Sequence, residues 1–460
     1  MAKAARLLIK GFLLSATMLS TSQALAQDSD VDARLDRLEA LVTSLINRMD
    51  AKESAPAASD IAVAQQAQQA ISETRALAER TAAVETKVAE QSADDNSFAV
   101  GKTRVTYGGY VKIDAISQRS SGGQVETGSI VRDFLIPGAI PVGGTSSGFD
   151  TDFSARQSRI ILETKTNVGS GHKLGSKIEM DFMVTNGGDE RVSNSYTPRL
   201  RQAYITFDNW LFGQAWSTFQ DVGALPEALD FIGPTPGTIF NRQPMVRYSY
   251  GGLQIAVEQP ETTVTSPTGG RVVTGDDSLP DVVLRYNLKS DMGHLTAAAI
   301  GRVLRVKPDD FGRISDDAIG YGLSLSGKLN LGARDDVRFM ATAGQGLGRY
   351  IGLNIVNDAA LRTDGSLDPI ATYSGFLAYR HMWTDTLRST LSGSYFKADN
   401  PVTLTTGSVT DESWNIFGNI IYSPVPPLDL GIEYMYANRE LENGAADNLQ
   451  KIQVSAKYKF

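Results

Sequence analysis

Most of the chain, from Arg104 to Phe460, alternates apolar and polar side chains with a period of two. In its last stretch the even-numbered residues from Ile452 to Phe460 are apolar, and the odd-numbered residues from Lys451 to Lys459 are polar. A period of two gives a β-strand one apolar and one polar face, whereas a helix would need a period near 3.6. The sequence therefore predicts an all-β fold for this region.

Sixteen such stretches recur, separated by Gly, Asn, Asp, Ser and Pro residues that favour turns. The predicted strands span residues 104–118, 154–166, 174–184, 200–207, 210–217, 243–250, 253–259, 281–289, 294–303, 318–329, 336–344, 371–382, 387–397, 413–422, 428–437 and 448–460. Their connections are either tight, as at Gly251 and Gly252, or long, as near 119–153, 260–280 and 345–370. Short turns at one rim and long loops at the other are typical of an outer-membrane barrel.

The N-terminus has the features of an export signal. Lys3, Arg6 and Lys10 precede a short apolar stretch, and Ala24 to Ala26 supply a small-x-small cleavage pattern. A membrane anchor would need about 20 apolar residues, more than this stretch contains. We therefore predict a signal peptide at residues 1–26 and a mature protein outside the cytoplasm.

The segment after the signal peptide predicts a helix. Its apolar residues recur at alternating intervals of four and three, which is typical of a coiled coil that self-associates. The residues of this trimerising coiled coil are Val31, Leu35, Leu38, Val42, Leu45 and Met49. A single amphipathic helix lying on its own domain is the alternative. We assign residues 27–97 to a periplasmic coiled-coil segment and linker, and residues 98–460 to an outer-membrane β-barrel.

A water-soluble sandwich, β-helix or propeller would show about the same alternation, so the pattern alone does not decide the fold. The export signal, the many strands without intervening helices, and aromatic residues at apolar strand ends, such as Tyr434 and Tyr458, favour a membrane barrel. Closure also removes the exposed sheet edges. We predict a 16-stranded antiparallel transmembrane β-barrel with an N-terminal α-helical coiled-coil extension. A barrel of this size encloses a water channel unless loops fill it.

The composition excludes several other classes of protein. The net charge of -8 argues against a nucleic-acid partner, and the lack of cysteine excludes a thiol enzyme or a Cys-ligated zinc site. No nucleophile motif or phosphate-binding loop occurs, and none of the three histidines is placed beside a serine and an inward carboxylate. We predict no enzymatic activity, no cofactor and no metal.

The polar faces of the strands carry more basic than acidic residues. The basic residues predicted to face the lumen from this pattern include lysines such as Lys112 and Lys451, and the arginines assigned to the pore lining are Arg159, Arg247, Arg285, Arg338 and Arg380. The strand near 200–207 has an ambiguous phase, but Arg199 and Arg201 would be costly in lipid, so we expect both to face water. A basic lumen favours anionic solutes. Alternatively, half of these cations pair with inward acids and only brace the wall.

One loop, from Gln220 to Thr238, is too apolar for a free surface loop and ends in the rigid prolines Pro234 and Pro236. We predict that it folds into the lumen and narrows it. Its candidate constriction residues are Asp221, Glu227, Asp230 and Phe231, and its acids could face the arginines across the opening.

Five sequence strings resemble the DcaP-like trimeric outer-membrane porins in content and order. They are YGGYVKIDA from Tyr107, SARQSRI from Ser154, RLRQAYITF from Arg199, NWLFGQAWSTF from Asn209 and RQPMVRY from Arg242. The resemblance implies sixteen strands, a trimer, an inward third loop at 218–241, and passage of small, often anionic solutes. It also implies that Arg242 lies by the pore with Arg159, Arg201 and Arg247.

These observations predict a passive porin for small hydrophilic, preferentially anionic solutes such as carboxylates, located in the bacterial outer membrane with its N-terminal rod in the periplasm. The expected partners are outer-membrane lipid and lipopolysaccharide, two further copies in a homotrimer, small anionic solutes, and peptidoglycan near the rod. The alternative is an envelope tether or structural barrel in which the coiled coil is the main functional part.

Overall fold

The structure is a computed structural model that describes residues 96–126, 128–169, 171–183, 193–274, 279–307 and 316–460, and the single helical residues Ala40 and Ser44. The chain divides into two units, Met1–Asp94 and Asp95–Phe460. The predicted signal peptide lies outside the described residues. So do all six predicted coiled-coil residues, namely Val31, Leu35, Leu38, Val42, Leu45 and Met49.

The second unit is built from strands with a few short helices. The strands are β1 Ser97–Val100, β2 Thr103–Ser120, β3 Asp150–Ser154, β4 Arg159–Asn167, β5 Lys173–Asp181, β6 Arg199–Phe207, β7 Trp210–Trp216, β8 Arg242–Tyr250, β9 Leu253–Glu258, β10 Thr263–Thr265, β11 Arg271–Val273, β12 Asp281–Ser290, β13 Gly293–Val306, β14 Asp316–Leu331, β15 Asp335–Gln345, β16 Ala359–Leu361, β17 Leu367–Pro369, β18 Ala371–Met382, β19 Leu387–Asp399, β20 Thr410–Val425, β21 Leu428–Leu441 and β22 Ala446–Lys459. The helices are α1 Val402–Thr405 and the 3-10 turns Ile130–Arg132, Pro137–Ala139, Val222–Ala224 and Thr235–Gly237. No helix in the described part of the chain is long and apolar enough to cross a bilayer.

The long strands form one closed antiparallel barrel. Neighbours in sequence pair all the way round, and the first wall strand, β2, closes the ring by pairing with the last, β22. On its other edge β2 pairs with β3 and β4, which lie end to end and together make one wall strand. Counted in this way, the wall contains sixteen strands, which confirms the predicted barrel.

The apolar side chains of the wall point outward. On β14, for example, Leu323 is 66% exposed whereas the adjacent Ser324 is 6% exposed. A water-soluble sheet would bury the leucine and expose the serine. The barrel therefore presents its apolar face to lipid and its polar face to the lumen.

This orientation gives a direct prediction for stability. Replacing Leu325, in the middle of β14 on the outward face, with arginine should destabilise the folded barrel by about 2 to 4 kcal/mol in a bilayer. The same change at Leu331, at the end of this strand, should have an effect of about 0 to 1 kcal/mol. Urea titration of folding into lipid vesicles measures both values. Equal effects at the two positions would show that this face does not meet hydrocarbon.

A β-bulge in β6 explains the ambiguous phase of that strand. Glu179 of β5 pairs with Gln202 and Met180 pairs with Leu200, so Arg201 has no residue opposite it. As a result Arg201 and Gln202 are both buried inside the barrel although they are adjacent in sequence. The bulge therefore keeps the Arg201 side chain out of the lipid, where a charged side chain would destabilise the barrel.

Three long loops fold into the lumen. Loop 1 (121–149), loop 3 (217–241) and loop 6 (346–370) bring apolar residues against parts of the inner wall. Phe219 of loop 3 and Ile351 of loop 6 join one buried cluster with Phe396 of the wall, and Leu135 of loop 1 joins another with Phe417. A bridge between Ile239 and Ile351 ties loop 3 to loop 6. The barrel interior therefore contains hydrophobic cores built by its own loops.

Candidate functional site

Loop 3 is fastened to the inner wall by its first acid, Asp221. The Nε2 atom of His294 lies 2.9 Å from its Oδ2 atom, and the Ser326 hydroxyl donates to the same oxygen at 3.1 Å. The expectation that no histidine lies beside a serine and an inward carboxylate is therefore wrong for His294, because loop 3 brings its own acid to the wall. Arg285 donates to Oδ1 at 3.3 Å. Burial opposes ionisation of this carboxyl, but Arg285 and His294 outweigh it, so the pKa of Asp221 lies below its usual range. The carboxylate is thus an anchor to β12, β13 and β14.

The second acid of the loop, Glu227, meets β19. Arg388 donates two hydrogen bonds to its two carboxylate oxygens, at 2.7 Å from Nε and 2.6 Å from Nη2. Such a bidentate pair is among the stronger and more directional contacts that proteins make. Burial opposes the charge of Glu227, but the contact with Arg388 lowers its pKa overall.

The third acid, Asp230, is buried in an ion pair with Lys451 of β22. It also accepts hydrogen bonds at 3.0 Å from the backbone N–H groups of Leu135, Ile232 and Gly233. Burial disfavours its charge, but Lys451 and these donors outweigh the effect and lower the pKa of Asp230. Asp230 therefore joins loop 3, loop 1 and the wall at one point.

These contacts change the predicted picture of the constriction. The acids were expected to be able to face arginines across an opening, but Asp221, Glu227 and Asp230 are all held by wall cations beside the loop. The side of loop 3 that remains accessible is apolar. Val222 is 42% exposed, and Phe231 is half-buried with its ring centroid 5.2 Å from the Arg201 guanidinium. Loop 3 consequently presents an apolar edge to the lumen, and its three acids, which face the wall, are paired with wall cations.

Five of the seven arginines predicted to line the pore have a carboxylate partner. The pairs are Arg159–Glu179 at 3.4 Å, Arg201–Glu179 at 2.6 Å, Arg285–Asp221 at 3.3 Å, Arg338–Asp336 at 2.7 Å and Arg380–Asp336 at 2.6 Å. Arg201 also reaches Asp181 at 2.7 Å. Much of the basic charge inferred from the alternation is therefore locally compensated, as the alternative interpretation anticipated.

Arg242 and Arg247 are different, because neither lies within 4.0 Å of a carboxylate among the described residues. The guanidinium of Arg242 lies over the rings of Trp216 and Phe240, at 4.5 and 5.6 Å from their centroids. Arg247 is held only weakly, at 3.4 Å from the Trp216 carbonyl oxygen. Each has one buried guanidinium nitrogen without a hydrogen-bond partner in the described structure. β8 therefore carries two arginines that make no direct ion pair among the described residues, and the nearest acid acting on Arg247 is Glu258 of the neighbouring strand β9.

The sequence pattern missed one ionic cluster completely. Arg302 of β13 is buried between Asp281, at 3.4 Å, and Asp358 of loop 6, at 2.7 Å. The inward face of β13 also carries Ile300 and Leu304, because loop 6 covers it. Because the inward face of β13 is itself apolar, the rule that apolar residues face lipid cannot tell its two faces apart. Only knowledge of the loop would have revealed the true orientation of Arg302.

The sequence profile of the DcaP outer membrane protein family matches residues 47–460, which is most of the chain. The chain belongs to this family. The crystal structure of the outer membrane channel DcaP of Acinetobacter baumannii is similar to it, with a TM-score of 0.66 and 24% identity over 79% of this chain and 100% of that one. The resemblance identified from the five sequence strings is therefore confirmed.

A second solved structure shares the barrel more distantly. The anion-selective porin from Comamonas acidovorans has a TM-score of 0.50 and 12% identity, over 78% of this chain and 100% of that porin. No curated protein sequence matches the chain significantly. Membership of the DcaP family and the closed barrel indicate a channel of the bacterial outer membrane rather than an enzyme.

Proposed function

We propose that this DcaP-family barrel is a passive porin that prefers small hydrophilic anions, such as carboxylates. The observation that carries the proposal is that Arg242 and Arg247 make no direct ion pair among the described residues, on the same wall as Arg159, Arg201 and Arg285. The three acids of loop 3 cannot offset them, because each is already paired with a wall cation. A low-dielectric wall strengthens this field and raises the local concentration of anions.

The assembly that we propose is a homotrimer whose N-terminal segment lies in the periplasm. The positions of the start of the first wall strand and the end of the last one support the periplasmic location of the N-terminal segment. Thr103 at the start of β2 pairs with Thr166, beside the short turn after β4. The backbone N–H of Lys459, at the end of β22, donates to Pro427 in the tight turn between β20 and β21. In outer-membrane barrels the rim with short turns faces the periplasm.

Reversal potentials in planar bilayers test the proposed selectivity. The purified full-length protein is inserted under a steep KCl gradient, where potassium and chloride differ mainly in the sign of their charge. We expect a reversal potential with the sign that chloride permeation produces. Its magnitude should be smaller at high salt, because screening weakens the field of the arginines. A reversal potential with the sign of potassium permeation would overturn the proposal.

A further inference from the structure

A groove of about 690 Å³ opens on the outward face of β18 to β21, away from the lumen. Its lining includes Tyr379, His381, Trp383, Leu391, Gly418 and Tyr434. Trp383 belongs to the short turn after β18, so the groove lies at the rim with short turns. Aromatic residues at such a rim mark the boundary between hydrocarbon and headgroups. The groove therefore spans this boundary.

The apolar end of the groove exists because Gly418 has no side chain. Gly418 is opposite Leu391 on one side and Tyr434 on the other, and both of these neighbours are largely exposed on the outward face. A Cβ atom placed on Gly418 would meet nothing closer than the Leu391 Cδ1 atom at 3.8 Å. One missing side chain in a row of large ones leaves a slot bounded by aliphatic and aromatic groups.

The other end of the groove is polar, and the carboxylate of Asp335, which does not itself line the groove, is hydrogen-bonded to two residues that do. Tyr379 donates a hydrogen bond at 2.6 Å to the carboxylate of Asp335, and the Nδ1 atom of His381 lies 2.8 Å from the same oxygen. The rings of His381 and Trp383 meet edge to face, with centroids 4.4 Å apart. No lysine or arginine is among the lining residues. A carboxylate beside aromatic faces attracts ammonium groups, and the cation nearest in sequence, Arg334, is already paired with Asp385 at 2.8 Å.

We propose that this groove binds one phospholipid with an ammonium headgroup, such as phosphatidylethanolamine. An acyl chain fills the slot at Gly418, and the ammonium group lies at Asp335 and the aromatic rings of His381 and Trp383. The apolar slot faces the hydrocarbon region, where an unfilled void would lose dispersion contacts on every side. The headgroup chemistry favours an ammonium lipid over phosphatidylglycerol, which has no cation to place beside Asp335. The site lies outside the solute path, so it is independent of the proposed anion preference.

Native mass spectrometry of the full-length protein tests this site. The protein is stripped of lipid, and phosphatidylethanolamine or phosphatidylglycerol is added back. In the Gly418→Leu variant the added side chain fills the slot. We expect it to weaken retention of phosphatidylethanolamine about tenfold, the effect of about two methylene groups left unburied. Asp335→Asn should reduce the preference for phosphatidylethanolamine over phosphatidylglycerol.

Gly393 provides the matched control. It lies on the same face of the barrel, beside Leu377 and Ile416, has room for a side chain, and does not line the groove. Gly393→Leu should retain lipid like the native protein. The proposal is wrong if Gly418→Leu and the native protein retain equal amounts of phosphatidylethanolamine, or if phosphatidylglycerol is retained equally well. It is also wrong if Gly418→Leu changes the oligomeric mass seen in the same spectra, because a second copy of the chain would then be the occupant.

Discussion

Replacing Arg242 and Arg247 together with glutamine lowers the anion-to-cation permeability ratio about tenfold. In water a unit charge about 4 Å away changes the energy of a passing ion by about 1 kcal/mol, or about fivefold in local concentration. Two such charges, reduced by salt screening, give an effect of about one order of magnitude. These two arginines have the largest expected effect because no carboxylate among the described residues pairs with either of them.

The matched control is Arg305→Gln, which removes a positive charge outside the lumen. Arg305 lies on the opposite face of β13 from the buried Leu304 and Val306 and pairs with Asp317 at 2.6 Å. The permeability ratio of this variant should stay within about twofold of the native value, because Arg305 lies on the outer side of the wall and its charge is paired with Asp317. If Arg305→Gln and the double variant have equal effects, selectivity depends on net charge rather than on these two residues.

The change Asp230→Asn destabilises the barrel by about 3 to 5 kcal/mol, because it leaves the ammonium group of Lys451 buried without a counter-charge. The amide has nearly the same shape as the carboxylate, so little packing is lost and the effect is mainly electrostatic. The carboxylate oxygen that joins loop 3 to Leu135 of loop 1 and to Lys451 of the wall is replaced at the same time by an amide group with a weaker attraction for the ammonium group. Heat-dependent electrophoretic mobility measures the loss of stability, and single-channel recordings should show larger current fluctuations.

A second variant distinguishes the lost ion pair from general damage. In Asp230→Asn combined with Lys451→Met no buried charge remains, so the double variant should recover much of the lost stability. A double variant less stable than Asp230→Asn alone would contradict this explanation. Unchanged stability in the single variant would show that Lys451 is hydrated or paired elsewhere when Asp230 is neutral.

The wall of the barrel could be predicted from the sequence almost completely. All sixteen predicted stretches are wall strands, because one physical rule, apolar side chains toward lipid, acts along every strand. The same rule placed Arg159 and Arg247 on the inward face. It failed where another element covers the lumen, as loop 6 covers Ile300 and Arg302, because the inward face there is also apolar. The alternation of apolar and polar residues does not reveal a β-bulge either, so it could not show on which face of β6 the Arg201 side chain lies.

The pairing of the charged residues could not be predicted. Asp221 and Arg285 are 64 residues apart in sequence, and Asp230 and Lys451 are 221 apart. No local pattern relates such partners. The sequence indicated that loop 3 enters the lumen, since its apolar content has no other explanation. It did not indicate that the acids of the loop turn to the wall and leave Val222 and Phe231 accessible.

The proposed anion preference requires anions to pass through the lumen beside the exposed part of loop 3, where Val222 is 42% exposed. The chain contains no cysteine, so a thiol introduced by Val222→Cys would be unique. The most direct measurement compares the rates at which negatively and positively charged methanethiosulfonates react with this thiol, followed by channel block, with their rates at Met292→Cys in an exposed turn, followed by mass spectrometry. We predict that the negative reagent is favoured about tenfold more at Val222→Cys than at the reference, as expected for a charged, low-dielectric passage. No block at Val222→Cys, or a preference for the positive reagent, would contradict the claim.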